Sequence, residues 1–270
     1  MDVVEKPALV ASDVDGTILG TNEQVSDHTA GVVGRVIADR TPFVLVSGRP
    51  PRWMPRIANA LGVSGYVVCA NGAVLYDLDE DRVIWQRGIS PVRLTDLAHA
   101  LDTAIPGCAV AAERVGERAA DVQAFVAEKE YRHAWPEAHD LAPRAEVLGH
   151  TAIKLLVRRV EMTSAEMAAA AKAVLGDEFA ITYSTNAGLI EVSERDVTKA
   201  TGLADVCARL EVAAEDVIAF GDMPNDIPML RWAGHGVAMA NAHHELLEVA
   251  DEVTGTNDQN GVAQVLERWF

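Results

Sequence analysis

The chain has 270 residues, of which 49% are hydrophobic and 23% are charged, the balance of a folded protein with one large domain or two smaller ones. Its formal net charge of −17 argues against a nucleic-acid partner, because proteins that bind a phosphate backbone carry a basic face. The three cysteines are widely separated and suggest neither a disulfide framework nor a zinc site. Without a signal-peptide pattern or an apolar run of roughly 18–20 residues, we expect a cytoplasmic protein.

Three short apolar runs in the first third of the chain have the pattern of strands that are buried on both faces of a parallel sheet. These runs are residues 8–12, 43–46 and 66–69. The segments between them, residues 26–40 and 51–61, are predicted helices, with Ser26 as the N-cap of the first and Gly62 ending the second. Strands and helices that alternate in this way are typical of a doubly wound α/β domain.

The pattern changes after Asn71-Gly72, which is a strong signal for a tight turn. The two strand-like runs that follow, residues 74–78 and 83–86, favour antiparallel pairing. From about residue 82 to residue 187 we predict an inserted α+β module, in which the charged stretch 116–145 shows no clear pattern. The helices expected in this module are residues 93–104 and 165–175, and the strands are residues 109–113, 152–157 and 180–183.

The α/β pattern returns near the C-terminus. The expected strands are residues 189–192, 217–220 and 236–239, and the expected helices are residues 198–210, 226–233, 243–250 and 261–269. We therefore predict an α/β fold with a doubly wound, mostly parallel and Rossmann-like sheet. This core domain comprises residues 1–81 and 188–270, and the inserted module at residues 82–187 interrupts it.

Polar residues follow three of the apolar runs, at the edge of the sheet where open parallel folds bind their ligands. In chain order they are Asp13, Asp15, Ser47, Arg49, Asp222, Asn225 and Asp226. The carboxylates would repel one another and a phosphate, but Mg²⁺ takes both carboxylate and phosphate oxygens and would give a phosphoryl-transfer site. Lys199, at the start of the helix that precedes the third of these runs, can supply a protein cation.

In this order the residues resemble the four motifs of the haloacid dehalogenase-like phosphatases. The motifs are Asp13-x-Asp15-Gly-Thr, Ser47-Gly-Arg, Lys199 and Gly221-Asp222-Met-Pro-Asn225-Asp226. The insertion falls between the second and third motifs, as in the Cof-type branch with its type IIB cap. Asn71-Gly72-Ala73 and residues 236–242 and 257–262 also resemble this branch, so the inserted module is expected to be a cap domain that sets substrate specificity.

The resemblance implies distinct catalytic roles for the first two carboxylates. Asp13 would be the nucleophile that forms an aspartyl-phosphate. Asp15 would be the general acid that protonates the leaving oxygen and then the base that activates water. Dehalogenases of this superfamily do not need a second acid at this place, so Asp15 favours hydrolysis of a phosphate ester.

The resemblance also implies which residues bind the metal and the phosphate. Mg²⁺ would be held by Asp13, the backbone carbonyl of Asp15 and Asp222, with Asp226 in or near the outer shell. The transferring phosphoryl group would be bound by Ser47, Lys199 and Asn225. For Arg49 a contact with substrate and a structural ion pair are equally well supported.

We therefore expect a Mg²⁺-dependent phosphatase, a phosphoric monoester hydrolase, that acts on a small phosphorylated metabolite such as a sugar phosphate. The alternative is a sugar phosphomutase, which uses the same aspartyl-phosphate but returns the phosphoryl group to the sugar. A non-catalytic phosphometabolite-binding protein is disfavoured because every expected chemical position is filled. The expected partner is this small metabolite, with no nucleic acid and no membrane, and a monomer and a homodimer both remain open.

The adjacent pair His243 and His244 offers a different metal-binding possibility. Neighbouring residues on a helix point to different sides, and both histidines fall at the start of a predicted helix. We therefore expect that this pair does not bind a metal together.

Overall fold

A computed structural model of the chain describes residues 5–121, 125–131, 140–183 and 185–270. The chain divides into two compact units, of which the first comprises Met1–Ile84 and Thr198–Phe270 and the second comprises Trp85–Val197. The predicted α/β class with a mostly parallel central sheet is confirmed by the first unit.

Within the described residues, the first unit has a parallel sheet of five strands. These strands are β1 (Leu9–Ser12), β2 (Phe43–Leu45), β12 (Val217–Gly221), β13 (His235–Ala238) and β14 (Glu252–Val253). Their order in the sheet is β14-β13-β12-β1-β2. The sheet therefore grows in opposite directions on the two sides of β1, which makes the boundary between β1 and β12 the switch point of a doubly wound fold.

The helices of the first unit lie close to the predicted segments. They are α1 (Asp27–Ala38), α2 (Met54–Leu61), α6 (Lys199–Leu210), α7 (Ile227–Trp232), α8 (His244–Leu247) and α9 (Gly261–Leu266). The predicted N-cap is confirmed, because the Ser26 hydroxyl accepts a hydrogen bond of 3.0 Å from the Thr29 N–H. Gly62 ends α2 in the left-handed conformation, as predicted.

The third apolar run, β3 (Tyr66–Cys69), was predicted to be a parallel strand of the core, and this prediction is only partly correct. It meets the end of the β2 segment through a parallel bridge between Val46 and Val68, but its full pairing is antiparallel, with β4 (Val74–Asp77). The reason is the turn at Asn71-Gly72, which reverses the chain directly after β3. The strand β5 (Arg82–Gln86) then adds to β4 in the order β3-β4-β5.

The second unit is an α+β module. Its elements are α3 (Pro91–Ala104), β6 (Ala109–Glu113), β7 (Phe125–Ala127), β8 (Asp140–Leu141), α4 (Arg144–Val147), β9 (Lys154–Arg158), α5 (Ser164–Leu175), β10 (Phe179–Thr182) and β11 (Leu189–Glu194). The order of its strands in the sheet is β10-β11-β9-β6-β7-β8. Alternate residues of β6, β9 and β11 share a hydrophobic core with α3 and α5. In the stretch 116–145, which showed no clear pattern and is partly outside the described residues, β7 and β8 lie and α4 begins.

The strand β11 lies in a different unit from the one expected. The sequence pattern assigned residues 189–192 to the resumed core, whereas the structure pairs β11 with β9 and β10 in the second unit. Ile190 and Val192 are buried in the hydrophobic core of that unit. The second unit therefore continues to Val197, and the first unit resumes at Thr198.

Gly72 is a position at which the fold requires glycine. Its φ of +99° is strained for other residues, and a Cβ there would lie 2.0 Å from the backbone oxygen of Thr198. We expect Gly72→Ala to reduce the free energy of unfolding by about 3 kcal/mol, because backbone strain and overlap act together. Urea unfolding of the purified protein measures this change.

Gly34→Ala is the matched control for this substitution. Gly34 lies on the exposed side of α1, and a Cβ at that position meets no atom within 4 Å. This variant should be more stable than the parent protein by about 1 kcal/mol, because alanine favours the helix. Equal effects of the two substitutions would contradict the close approach at Gly72.

Candidate active site

The ends of three parallel strands meet at one edge of the first unit's sheet. Ser12, the last residue of β1, is paired with Phe220 of β12 on one side and with Leu45 of β2 on the other. The Asp13 N–H also donates a hydrogen bond of 2.9 Å to the Phe220 carbonyl. The side chains that follow these strands therefore start from the same edge, at the switch point of the sheet.

A buried lysine connects two of the predicted carboxylates. The Lys199 ammonium donates to Oδ1 of Asp13 and to Oδ1 of Asp226, at 2.5 Å in each case. Lys199 is 1% exposed, Asp13 is 4% exposed and Asp226 is fully buried. Because these charges are removed from water, the three groups depend on one another, and loss of one would leave an uncompensated buried charge.

The position of Lys199 follows from the start of α6. Thr198 caps this helix, since its hydroxyl accepts a hydrogen bond of 3.2 Å from the Thr201 N–H. Lys199 is the first residue of the helix, and the Thr198 carbonyl lies against the turn at Gly72. The packing of α6 on this turn therefore directs the lysine into the carboxylate cluster.

Asp226 orients the loop after β12 as well as pairing with Lys199. Its second carboxylate oxygen, Oδ2, accepts hydrogen bonds from the N–H groups of Asp222 at 3.1 Å and Met223 at 3.0 Å. Both oxygens of Asp226 therefore have partners within the protein. This arrangement agrees with a carboxylate that orients its neighbours, as expected for a residue in or near an outer shell.

Three carboxylates of this cluster could hold a metal ion. One oxygen from each of Asp13, Asp222 and Asp226 lies within 4.8 Å of the other two. The Thr17 hydroxyl donates a hydrogen bond of 3.0 Å to Oδ1 of Asp222. Gly16 has a φ of +75°, and a Cβ at this position would lie 2.2 Å from the Asp222 carboxylate, so the loop approaches Asp222 closely only because residue 16 is glycine.

The burial of this cluster changes its proton affinity. Burial raises the pKa of Asp13 well above its ordinary value, and the Lys199 cation opposes this effect. Burial, together with the charge of Asp226, raises the pKa of Asp222 to about 7. A divalent cation would favour the ionised forms, and an all-oxygen set of ligands is the type that Mg²⁺ prefers. The acidic cluster therefore fits a metal site of this kind.

Asp15 is placed differently from Asp13. Its side chain is 54% exposed, and it forms a two-pronged ion pair with Arg49. Arg49 Nε donates to Oδ2 at 2.9 Å, and Nη2 donates to Oδ1 at 2.5 Å. The Arg49 N–H also donates a hydrogen bond of 3.1 Å to the hydroxyl of Ser47, so these three predicted site residues form one connected group. The structure thus shows an ion pair for Arg49.

Asn225 is connected to the same edge through Asn71. Asn225 Nδ2 donates a hydrogen bond of 3.0 Å to Oδ1 of Asn71, and the Asn71 N–H donates one of 2.9 Å to the Ser47 carbonyl. The side-chain oxygen of Asn225 is buried without a hydrogen-bond partner in the described part of the chain. Asn71 therefore joins the loops of Ser47 and Asn225, although the sequence pattern around it indicated a turn and a resemblance but no contact.

Further residues hold the loop that follows Asp15, and their contacts were not predicted. Asn241 Nδ2 donates a hydrogen bond of 2.8 Å to the Gly16 carbonyl, and Asn257 Nδ2 donates one of 2.9 Å to the Leu19 carbonyl. Thr17 contacts Asp222, as described above. The signal for these residues was present in the segments that resemble the Cof-type branch, but a resemblance does not show which atoms meet.

The argument that separated His243 from His244 is wrong. His243 is the N-cap of α8 and has a non-helical backbone, with φ −59° and ψ 141°, so helical side-chain directions do not apply to it. The two rings lie 4.3 Å apart, and together with Glu245 they offer three possible ligand atoms within 4.8 Å. The pair lies next to the carboxylate cluster, because the His243 N–H donates a hydrogen bond of 2.7 Å to the Asp222 carbonyl.

Comparison with known proteins identifies the family. A family model described as haloacid dehalogenase-like hydrolase matches residues 10–266, which is nearly the whole chain. The chain belongs to this family. The predicted resemblance is thereby confirmed, and the four motifs all lie within the matched residues.

Curated relatives cover the chain along almost its full length. The phosphatase YwpJ of Bacillus subtilis is 29% identical, over 96% of this chain and 98% of the relative. The 5-amino-6-(5-phospho-D-ribitylamino)uracil phosphatase YcsE of the same organism is also 29% identical, over 97% of this chain and 95% of the relative. The haloacid dehalogenase-like hydrolase described here is therefore a phosphoric monoester hydrolase that acts on small phosphorylated substrates.

Solved structures show the same fold. The sugar phosphatase BT4131 of haloacid dehalogenase subclass IIB matches with a TM-score of 0.81 and 19% identity, covering 97% of this chain and 98% of that chain. This likeness shows that the chain shares the fold of that protein. In the described part of the chain, a helix with the length and apolar character needed to cross a membrane is not found.

The charges around Lys199 lead to a prediction about stability. Lys199→Met should reduce the free energy of unfolding by about 3–5 kcal/mol, because it leaves the carboxylates of Asp13 and Asp226 buried without their cation. The reduction should be larger at pH 8 than at pH 6, because burial already raises the pKa of Asp13 and the opposing Lys199 cation is lost, so this carboxylate takes up a proton as the pH falls and thereby loses its charge. Urea unfolding at both pH values, in buffer without metal, measures the effect.

Lys172→Met provides a control of the same chemical type. Lys172 pairs with Asp177 at the surface of the second unit, where both side chains are mostly exposed, so this substitution should leave the unfolding free energy unchanged. Adding Asp226→Asn to Lys199→Met should restore part of the lost stability, because it removes one of the unpaired charges. If Lys199→Met changed the free energy of unfolding as little as Lys172→Met, the buried ion pairs of Lys199 would be refuted.

Proposed function

We propose that this phosphatase is Mg²⁺-dependent and works through an aspartyl-phosphate on Asp13. The observation that carries the proposal is the buried cluster at the switch point of the sheet, where Lys199 contacts Asp13 and Asp226 and three carboxylates converge. A nucleophile, a fixed cation and an oxygen-rich metal site are the components that phosphoryl transfer requires.

The residues that would hold Mg²⁺ are Asp13, Asp222 and the backbone carbonyl of Asp15, with Asp226 orienting the loop of Asp222. The ion would supply positive charge that offsets the repulsion between these carboxylates and a phosphate ester. Support for this assignment comes from the mutual distances of the carboxylate oxygens and from the two backbone hydrogen bonds that fix Asp226.

In the first chemical step, a carboxylate oxygen of Asp13 attacks phosphorus. A bond forms between this oxygen and phosphorus, the ester P–O bond breaks, and the leaving oxygen takes a proton from Asp15. Lys199 holds the Asp13 carboxylate through Oδ1, which fixes its direction and stabilises its charge. Its ammonium, together with the Ser47 hydroxyl and the Asn225 amide, would also bind oxygens of the transferring phosphoryl group.

In the second step, Asp15 acts as a base. It takes a proton from a water molecule, the water oxygen bonds to phosphorus, and the bond between phosphorus and Asp13 breaks. The products are inorganic phosphate and the regenerated Asp13 carboxylate. Because Asp15 gains the proton in this step that it gave up in the first, the cycle is balanced.

The ion pair between Asp15 and Arg49 would have to open during this cycle. A phosphate ester carries negative charge and competes with Asp15 for the guanidinium of Arg49, which favours Arg49 as a contact for the substrate. Release from Arg49 would allow Asp15 to carry a proton to the leaving oxygen. The half-exposed position of Asp15 supports such a movement, since its side chain is not confined by packing.

The substrate we propose is a sugar phosphate or a similar phosphorylated metabolite, with specificity set by the inserted cap domain that was predicted at residues 82–187. One support is the relative YcsE, whose name gives a ribityl phosphate ester as its substrate. Another is that the side chains assigned to catalysis all belong to the first unit. The second unit, Trp85–Val197, carries none of these assigned side chains and can therefore differ in its role.

Asp13→Asn is the direct test of the nucleophile. With Mg²⁺ and a broad panel of phosphate esters, the parent protein should release inorganic phosphate, and the variant should lose at least a thousandfold in turnover, because an amide does not attack phosphorus. Phosphate release measured by a colorimetric assay checks this. Retained turnover in the variant would eliminate Asp13 as the nucleophile, and Asp177→Asn at the surface is the control that should keep full activity.

The same panel separates the alternative functions. A phosphomutase would need a bisphosphate activator and would return the phosphoryl group to the sugar, whereas a phosphatase releases inorganic phosphate without one. A binding protein would hydrolyse no ester of the panel, and its ligand binding would survive Asp13→Asn.

The raised pKa of Asp222, about 7, predicts how Mg²⁺ binding depends on pH. Below this pH the carboxyl carries a proton that a metal ion must displace, so Mg²⁺ should bind roughly tenfold more weakly at pH 6 than at pH 8. Asp13 changes the affinity in the same direction, because its pKa is also raised. Titration calorimetry at the two pH values measures this, and equal affinities would contradict a metal site built on carboxyl groups with raised pKa values.

A further inference from the structure

The loop that carries Asp15 is held from one side by the C-terminal part of the chain. Asp15 and Gly16 have non-helical backbone angles, and the loop continues through Leu19. Asn241 donates to the Gly16 carbonyl at 2.8 Å, and Asn257 donates to the Leu19 carbonyl at 2.9 Å. The two asparagines are also joined, because the Asn257 N–H donates to Oδ1 of Asn241 at 2.9 Å.

The nitrogen and the oxygen of the Asn241 side-chain amide have different hydrogen-bond partners. Its amide nitrogen holds the Gly16 carbonyl, and its oxygen is held by the backbone of Asn257. The orientation of the amide is therefore determined by a backbone acceptor at one end and a backbone donor at the other. Asn241 is exposed, so these bonds do not serve to satisfy buried groups.

A second contact holds the opposite side of the same turn. Thr17 donates to Oδ1 of Asp222 at 3.0 Å, so residues 16 and 17 are fixed from two directions. Asp15 precedes these two residues, and its own side chain contacts Arg49 but is mostly exposed. The backbone beside Asp15 therefore has more contacts than the Asp15 carboxylate. Such an arrangement suits a side chain that moves while its backbone stays in place.

We propose that Asn241, assisted by Asn257, is a positioning residue that keeps Asp15 within reach of the leaving-group oxygen. This inference rests on the proposed function, in which Asp15 is the general acid. Without the bond to the Gly16 carbonyl, the turn after Asp15 can shift, and an error of about 1 Å in the position of a catalytic group is enough to slow a reaction greatly. Proton donation then suffers most for esters with a poor leaving group, whereas any effect on the Asp15 backbone carbonyl and the metal would slow esters with good and poor leaving groups alike.

A comparison of two substrates isolates proton donation. Phenyl phosphate and p-nitrophenyl phosphate have similar shapes, but the nitrophenolate leaves readily without a proton, while the phenolate needs one much more. The value of kcat/KM reports the transfer to Asp13, in which the leaving group departs. We expect Asn241→Ala to reduce kcat/KM for phenyl phosphate about tenfold more than for p-nitrophenyl phosphate.

Three further variants are needed to interpret this experiment. Asp15→Asn shows how the ratio of the two kcat/KM values changes when the acid is absent. Asn241→Asp keeps the acceptor for Asn257 but loses the donor to Gly16, so it should change the ratio as Asn241→Ala does. Asn257→Ala should change it less, because the bond from Asn241 to Gly16 remains.

Asn59→Ala is the control, since Asn59 is an exposed asparagine on α2 in the same unit. It should leave both kcat/KM values unchanged. Thermal unfolding of every variant shows whether the fold is intact. If Asn241→Ala reduces kcat/KM equally for both substrates, or for neither, while the protein remains folded, the positioning role is refuted. Turnover that survives Asp13→Asn would instead refute the proposed function, so the two failures are distinguishable.

Discussion

The arrangement of the first unit depends on a buried cluster of carboxylates in which one lysine, Lys199, pairs with two of them. Removing charged groups from water costs several kcal/mol for each ion, and Lys199 compensates for only part of the negative charge of Asp13, Asp222 and Asp226. The remaining negative charge is tolerated because backbone N–H groups and a threonine hydroxyl donate to it. If the cluster holds a cation as proposed, it gives up stability in the metal-free protein in exchange for affinity for that ion.

The backbone around the cluster is shaped by a few residues with unusual conformations. Gly16, Asn71 and Gly72 all have positive φ angles, and each lies where a loop approaches another segment closely. Gly16 brings the first loop onto Asp222, and the turn at residues 71 and 72 supports the start of α6. The charges are therefore held in place by backbone geometry at least as much as by their own attraction.

Much of this arrangement could be predicted because it depends on local sequence. Apolar runs identified β1, β2 and β12, and the residues directly after them are the ones that the structure brings to one edge. The pairing of β11 could not be predicted, because its apolar pattern fits either unit and only its partners β9 and β10 decide between them. The partners of Asn241 and Arg49 could not be predicted for a related reason, because polar side chains that gather at a common edge have several possible contacts.

The division of the chain into two units has a consequence for how such an enzyme can diversify. The side chains of the charge cluster all belong to the first unit, while Trp85–Val197 has a sheet and a hydrophobic core of its own. In the proposed mechanism, mutations in the inserted segment therefore leave the metal ligands, the proton donor and the nucleophile unaltered. Under that proposal, substrate preference can evolve in one module while the phosphorus chemistry of the other is inherited unchanged.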